Sequence, residues 1–294
     1  MPGYKHQPTH DHRKVILQEV GPRDGLQNER RVLSVHRRIE LIQRLGAAGI
    51  PRIQVGSFVN PRKVPQMADT DMVWQGLSPK KGVRYTALVL NERGLRSAMA
   101  CGIPHVEIYV SASETHSLKN SGVPGDVALS TARSLIRLAL AEGLGVTAGV
   151  MCAFGCFYEG AVPADQVLRI VQTFWESGAK EIALADTAGL GQPDQVGELI
   201  KTVSAAVAPI PISLHLHDTH GLAMENLRIA LGLGIRHFDT AVSGLGGCPF
   251  IPGAAGNIST ETTVALLSSF GFYTDIDATS VRETANWLRR ILNE

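Results

Sequence analysis

Short apolar runs alternate with amphipathic stretches along nearly the whole chain. VILQEV at 15–20 is β-rich and ends at a Gly-Pro pair. Ser34 then stands where an N-cap belongs. Val35, Ile39, Ile42 and Leu45 recur on one helical face before Gly49. The alternation continues, with strands predicted at 52–58, 84–90, 105–112, 145–154, 181–187, 211–219 and 237–244. Helices are predicted from Asn91 to Cys101 and from Asp126 to Glu142. Others run through Val167, Ile170, Val171 and Phe174, through Val196, Leu199, Ile200 and Val203, and from Asn226 to Leu233, and two more lie near 258–269 and 279–292. Pro163 suits a first helical turn. The second crossover, 59–83, is rich in Pro and Lys and has the weakest helical pattern.

The strands read as near-continuous apolar runs, as in a parallel sheet covered on its outer face. Eight βα units in 294 residues predict an α/β fold, a single-domain (β/α)₈ TIM barrel. An open doubly wound sheet is the competing fold, and its dinucleotide-binding form is weakened because no GxGxxG joins the first strand to the first helix. Residues 1–14 are expected to be a flexible tail holding His6, His10 and His12, and residues 15–294 the barrel with its C-terminal helices.

Composition narrows the function classes. Lys and Arg number 28 against 27 Asp and Glu, with no basic run, which argues against a nucleic-acid partner. No apolar stretch is long enough for a bilayer, so no membrane partner is expected. Four cysteines are too few for a disulfide scaffold, and the first 14 residues have no secretory or transit pattern; a reducing cytoplasm is the expected compartment.

In such a barrel the strand C-termini carry the chemistry. There the chain places Glu19, Arg23, Asp24, Gln54, Ser57, Ser111, Ser113, Glu114, Cys152, Asp186, His215, His217 and Asp218. The Gly-rich stretch 244–256 with Cys248, and Asn257 just past it, follow the last strand. Residues two apart on a strand share a face, so His215 and His217 project side by side, as neighbouring metal ligands do. Paired histidines in a polar interior are the plainer reading of that doublet. Oxygen donors at Asp24 and Asn257 complete a set that suits Mn²⁺, Mg²⁺, Co²⁺ or Zn²⁺. Cys101, Cys152 and Cys156 lack zinc-site spacing and are expected to pack.

EVGPRDGLQNE (19–29), SFVNPRKVPQMAD (57–69), CAFGCFYEG (152–160), ADTAGLGQP (185–193), HLHDTHG (215–221) and SGLGGCPFIPGAAGNISTE (243–261) resemble the 3-hydroxy-3-methylglutaryl-CoA lyase family. The likeness runs from about 15 to about 275. It implies a TIM-barrel enzyme that uses Mg²⁺ or Mn²⁺ for retro-Claisen cleavage of an acyl-CoA thioester, giving acetyl-CoA and a keto acid. Asp24, His215, His217 and Asn257 match the metal ligands. Arg23 matches the residue that meets the enolate oxygen, and Cys248 the proton donor to it. Asp24, His215, Asp186 and Glu261 complete the catalytic group. Gln27, Gln54, Ser113, Gly149, His220, Gly246 and Gly247 are expected to touch substrate. A homodimer paired through helices is the expected assembly.

The chain departs from the family pattern at five positions expected in or beside the pocket. Gln54 stands where a glutamate is usual, Gly149 for a tyrosine, Thr147 for an arginine, His220 for a tyrosine and Thr262 for an aspartate. The reaction type is expected to persist with a possible change of substrate branch. If Gln54 merely weakens the family reaction, Gln54→Glu raises activity. The alternative readings are an aldolase or Claisen-type synthase acting on a 2-oxo acid, and a non-catalytic binding relative.

Overall fold

Ser34 has extended backbone and accepts a hydrogen bond from the Arg37 amide at 3.3 Å, so a helix starts immediately after it. Local signals of this kind space the elements of the computed structural model, which describes residues 10–246 and 256–294. Among these residues the strands are β1 (Ile16–Glu19), β2 (Arg52–Ser57), β3 (Arg84–Val89), β4 (His105–Ser111), β5 (Gly145–Met151), β6 (Glu181–Asp186), β7 (Ile212–Leu216) and β8 (His237–Thr240). The helices are α1 (Val35–Ala47), α2 (Thr70–Gln75), α3 (Glu92–Cys101), α4 (Glu114–Asn120), α5 (Gly125–Ala141), α6 (Ala164–Glu176), α7 (Pro193–Val207), α8 (Ala223–Gly232), α9 (Thr260–Ser269) and α10 (Ala278–Asn293). Each strand pairs in parallel with the next, and β1 pairs with β8, closing a (β/α)₈ barrel. No helix among the described residues is long and apolar enough to cross a membrane.

Several boundaries differ from the pattern reading. The segments 145–154, 211–219 and 237–244 leave the ladder at Met151, Leu216 and Thr240, where the chain turns out of the sheet. Pro163 sits one residue before α6, where its fixed φ sets the helix entry. The second crossover holds a 3₁₀ turn (Pro65–Met67) and the short α2. Helix α4 was hidden in a polar segment, and Ser113 caps it by accepting from the His116 amide at 3.1 Å. Residues His10–Arg13 form a 3₁₀ turn. Lys14 pairs with Tyr273 and reaches Asp275 at 2.6 Å, so the tail boundary expected at 14 lies too far along the chain.

Alternation along the strands sorts the side chains into two environments. Leu17, Ile53, Val106, Ile108, Ile182, Leu184 and Leu214 belong to the apolar core, with faces such as Leu41, Ile42 and Leu45 of α1. Inside the barrel the rows are polar. At its base, where strands begin, Arg52 and Arg84 both bind Glu181, Arg52 at 2.8 Å. Thr147 Oγ1 lies 2.8 Å from His105 Nε2 and donates to Glu181 at 3.3 Å. Thr147 therefore stands at the end opposite the mouth, not in or beside the pocket. Burial, with Arg84 and Arg52 adding to it, pushes His105 and His237 down to about 4.

Candidate metal centre

The turn after β1 is π-helical (Gly21–Gly25) and buries Arg23 and Asp24 against the barrel mouth. Its backbone is held by Glu19, whose Oε1 accepts from the Gly21 and Val242 amides, both at 2.8 Å. Glu19 Oε2 accepts from Thr260 at 2.6 Å, and burial pushes this carboxyl up to about 7. Glu19 thus ties the first strand to the last turn of the barrel and to α9.

His215, on β7, and His217, just past it, face the same way, as their spacing requires. Their Nε2 atoms lie 3.0 Å apart. Asp24 Oδ2 is 3.8 Å from the first and 3.6 Å from the second. One ligand atom from each of the three residues falls within 4.8 Å of the others, and all three residues are buried. Asn257 Nδ2 donates to Asp24 Oδ2 at 2.8 Å. All four residues matched as ligands therefore converge.

The donor set fits a divalent cation. Asn257 Oδ1 is buried with no hydrogen-bond partner, an uncompensated cost beside the Asp24 carboxylate. A carboxylate, two imidazoles and an amide oxygen are the mixed oxygen and nitrogen donors such ions take. The carboxylate is charged: burial opposes it, yet Arg23 and the two imidazoles hold Asp24 well below the usual carboxylate range. His215 Nδ1 lies 3.1 Å from Asp239 Oδ2, the carboxylate–imidazole pairing that orients metal-bound histidines. Burial disfavours charge on His215, but Asp239 and Asp24 outweigh it and raise its pKa.

Asp239 was missed in the sequence. The signal is the β7–β8 register, which sets His215 directly beside Asp239. Gly246 has φ +96°, and a Cβ there would lie 2.5 Å from Asn257 Nδ2 and 3.1 Å from Asp24 Oδ2, so only glycine lets the backbone pass so close to the ligands. Gly247 and Cys248 lie outside the described residues.

Other expected site residues separate by what holds them. Gln27 donates to Asp24 Oδ1 at 3.2 Å, beside Arg23 Nη1 at 2.7 Å. Asp186 accepts the Leu190 and Gly191 amides, both at 2.9 Å, so each of its oxygens fastens the β6–α7 turn. Glu261 accepts from the Ser243 amide at 3.1 Å and anchors the turn after β8. Ser113 is committed to its cap and to Cys156, whose thiol donates to it at 2.9 Å. His220 is exposed, and Thr262 is engaged by Ser259 at the start of α9. Cys152, beside Cys156, is buried and pushed up to about 12, so it is a packed thiol.

Gly149 and Gln54 are both inside. A Cβ on Gly149 would lie 2.2 Å from the ring of Tyr109, so that tyrosine on the adjacent strand β4 fills the space the glycine leaves. Gln54 is fully buried and accepts from Arg23 Nε at 2.5 Å.

Comparison with known proteins follows the same line. A family model described as HMGL-like matches residues 14–288. The hydroxymethylglutaryl-CoA lyase of Pseudomonas mevalonii is 41% identical over 269 residues, spanning 92% of this chain and 89% of its own. A crystal structure of the Bacillus subtilis HMG-CoA lyase superposes with TM-score 0.93 at 37% identity, covering 96% of this chain and 95% of that one. An HMG-CoA lyase from Acinetobacter baumannii, in complex with coenzyme A and 3-methylmalate, gives 0.92 at 32% identity, covering 100% and 94%.

Proposed function

The chain belongs to the HMGL-like family of carbon–carbon lyases, and on that premise we propose that it cleaves 3-hydroxy-3-methylglutaryl-CoA, or a close 3-hydroxyacyl-CoA analogue, to acetyl-CoA and a keto acid. The observation that carries the reading is the buried convergence of Asp24, His215 and His217 with Arg23 bound to the same aspartate. Asp24, His215, His217 and Asn257 hold the divalent metal, Mg²⁺ or Mn²⁺. When bound, it supplies Lewis acidity at the substrate's hydroxyl and carbonyl oxygens.

The protein's own groups divide the remaining work. Retro-Claisen cleavage removes the 3-hydroxyl proton, breaks the C2–C3 bond and leaves the electron pair on the acetyl-CoA fragment as an enolate. Arg23 Nε and Nη1 are tied to Gln54 and Asp24, which fixes the plane of the guanidinium. Its remaining edge meets the thioester oxygen as negative charge develops there. Asp239 keeps His215 oriented without touching substrate. Cys248 returns a proton to the enolate carbon, completing acetyl-CoA. Tyr109 over Gly149 forms part of the wall against which the acyl branch lies, and its burial together with Glu107 keeps the phenol protonated. The reading extends to a cytoplasmic homodimer, on the absence of a secretory or transit pattern in the first 14 residues and the helical outer face of the barrel.

The test is a coupled assay of acetyl-CoA release from a panel of 3-hydroxyacyl-CoA thioesters and free 2-oxo acids, with Mg²⁺ or Mn²⁺. Cation-dependent cleavage of the methylglutaryl thioester, lost on chelation and in Asp24→Ala, is the expected result. Cleavage of 2-oxo acids alone, or full activity after chelation, refutes the reading.

A further inference from the structure

One buried carboxylate outside the proposed mechanism touches a partner of Arg23 directly. Glu107 is fully buried on β4, inside the barrel, and two hydrogen bonds fix it in place. Thr86 of β3 donates to its Oε1 at 2.5 Å, and Gln54 Nε2 donates to its Oε2 at 2.6 Å. The other end of the Gln54 amide accepts from Arg23 Nε at 2.5 Å. One unbroken row therefore runs Thr86, Glu107, Gln54, Arg23, Asp24 across β2, β3 and β4 and the turn after β1.

The direction of each bond matters. An amide side chain has an acceptor end and a donor end, and alone it can turn over at little cost. Burial, with Asp239 adding to it, pushes the Glu107 carboxyl up to about 7; once ionised it takes only donors, so it compels the NH₂ end to face it. The carbonyl must then face Arg23. Turning the amide over would set its oxygen against a carboxylate and its NH₂ against a guanidinium, leaving both charges buried and unmatched.

We infer that Glu107 is a positioning residue for the cleavage reaction, and that it orients the Arg23 guanidinium through Gln54 in place of a carboxylate at position 54. The inference rests on the proposed lyase reading, since it assigns how Arg23 is held and not what Arg23 does. It also reverses the expectation for Gln54→Glu. A carboxylate introduced at position 54 would meet Glu107 at the 2.6 Å now spanned by a donated hydrogen bond. Two carboxylates that close cannot both stay ionised without heavy repulsion. One of them must then take up a proton that the parent pair does not need, so Gln54→Glu is a lesion in this chain that deepens as pH rises and that proton is lost.

Exchanging the two residues repairs it. In Gln54→Glu/Glu107→Gln the new carboxylate accepts from Arg23 on one side and from the new amide on the other, and Thr86 donates to the amide oxygen. Every hydrogen bond survives, with one link reversed.

The experiment is a double-mutant cycle on the full chain with Mn²⁺ and the methylglutaryl thioester, reading kcat, KM and melting temperature. Gln54→Glu is expected to lower kcat about thirtyfold with KM changed less than threefold. Glu107→Gln is expected to lower it about tenfold, and the exchange to recover to within about threefold of the parent. Thr86→Val, which removes only the hydroxyl that fixes Glu107, should lower kcat about threefold at unchanged KM. A gain in Gln54→Glu, or losses that simply multiply in the double variant, overturns the inference, as does an effect confined to melting temperature. If the parent cleaves no thioester, the lyase reading fails first. The inference then falls with it, whereas an active parent with multiplicative losses removes the inference alone.

Discussion

At the mouth of the barrel two imidazoles face carboxylates; at the base two imidazoles face arginines. His215 has Asp239 at 3.1 Å and Asp24 at 3.8 Å, and these acids raise its affinity for a proton. His105 and His237 lie by Arg52 and Arg84, and burial and those charges lower theirs to about 4. The carboxylates differ in the same sense. Glu181 is clamped by both arginines and takes a further bond from Thr147. At the mouth, by contrast, Asn257 Oδ1 and His217 Nδ1 are buried without partners. The same residue types thus make a hydrogen-bonded plug at one end and, at the other, a cluster of convergent donors with buried atoms left unpaired. Burial and charge alone do not mark a site; unfinished bonding among convergent donors does.

Breaking the mouth should cost function far more than fold. His215→Ala removes a ligand and is expected to lower metal-dependent cleavage at least about a thousandfold, roughly 4 kcal/mol of transition-state stabilisation. Calorimetric titration with Mn²⁺ should show weakened binding in parallel. Unchanged Mn²⁺ affinity would remove His215 from the ligand set.

The base should answer the opposite way. Glu181→Gln leaves two arginines close together without the charge of the carboxylate that binds both. The expected loss is about 3 kcal/mol of stability in urea unfolding, with kcat within about twofold of the parent. A large fall in kcat at unchanged stability would mean the two ends are coupled and the distinction fails.

Acid should then erode the base gently, before the mouth. His105 and His237 titrate near 4 when folded and near 6.5 in a free chain. Between those values the unfolded state holds more protons, so stability falls as pH drops from about 6.5 to about 4. Asp24 has a depressed pKa, and its contribution is lost only below the range of a free carboxyl. Melting temperature against pH checks this, with a shallower acid slope in His105→Asn. An unaltered slope would take His105 out of the account.

Much of this was legible in the chain. The period-two doublet His215 and His217 put two imidazoles on one face by strand geometry, and the strand ends placed Asp24 and Asn257 near it. What could not be read lies across strands. Asp239 looks like any mid-strand aspartate until the register puts it beside His215. Glu107 and Thr86 matter only because β3 stands between β2 and β4, with Gln54 paired to Thr86. Thr147 was grouped with the pocket because family departures count positions and not depth along a strand; one residue separates it from Gly149, and that is enough to move it from the pocket wall to the base.

The basal clamp also has a bearing on time. Glu181 lies 129 residues along the chain from Arg52 and 97 from Arg84, so the contact joins segments that meet only once the sheet has nearly closed. Contacts of such span are late on the route to the native state. Interactions that form after the folding barrier slow escape from the native state and leave the rate of reaching it almost untouched. The plug beneath the active end acts, in that sense, as a latch on the enzyme's lifetime.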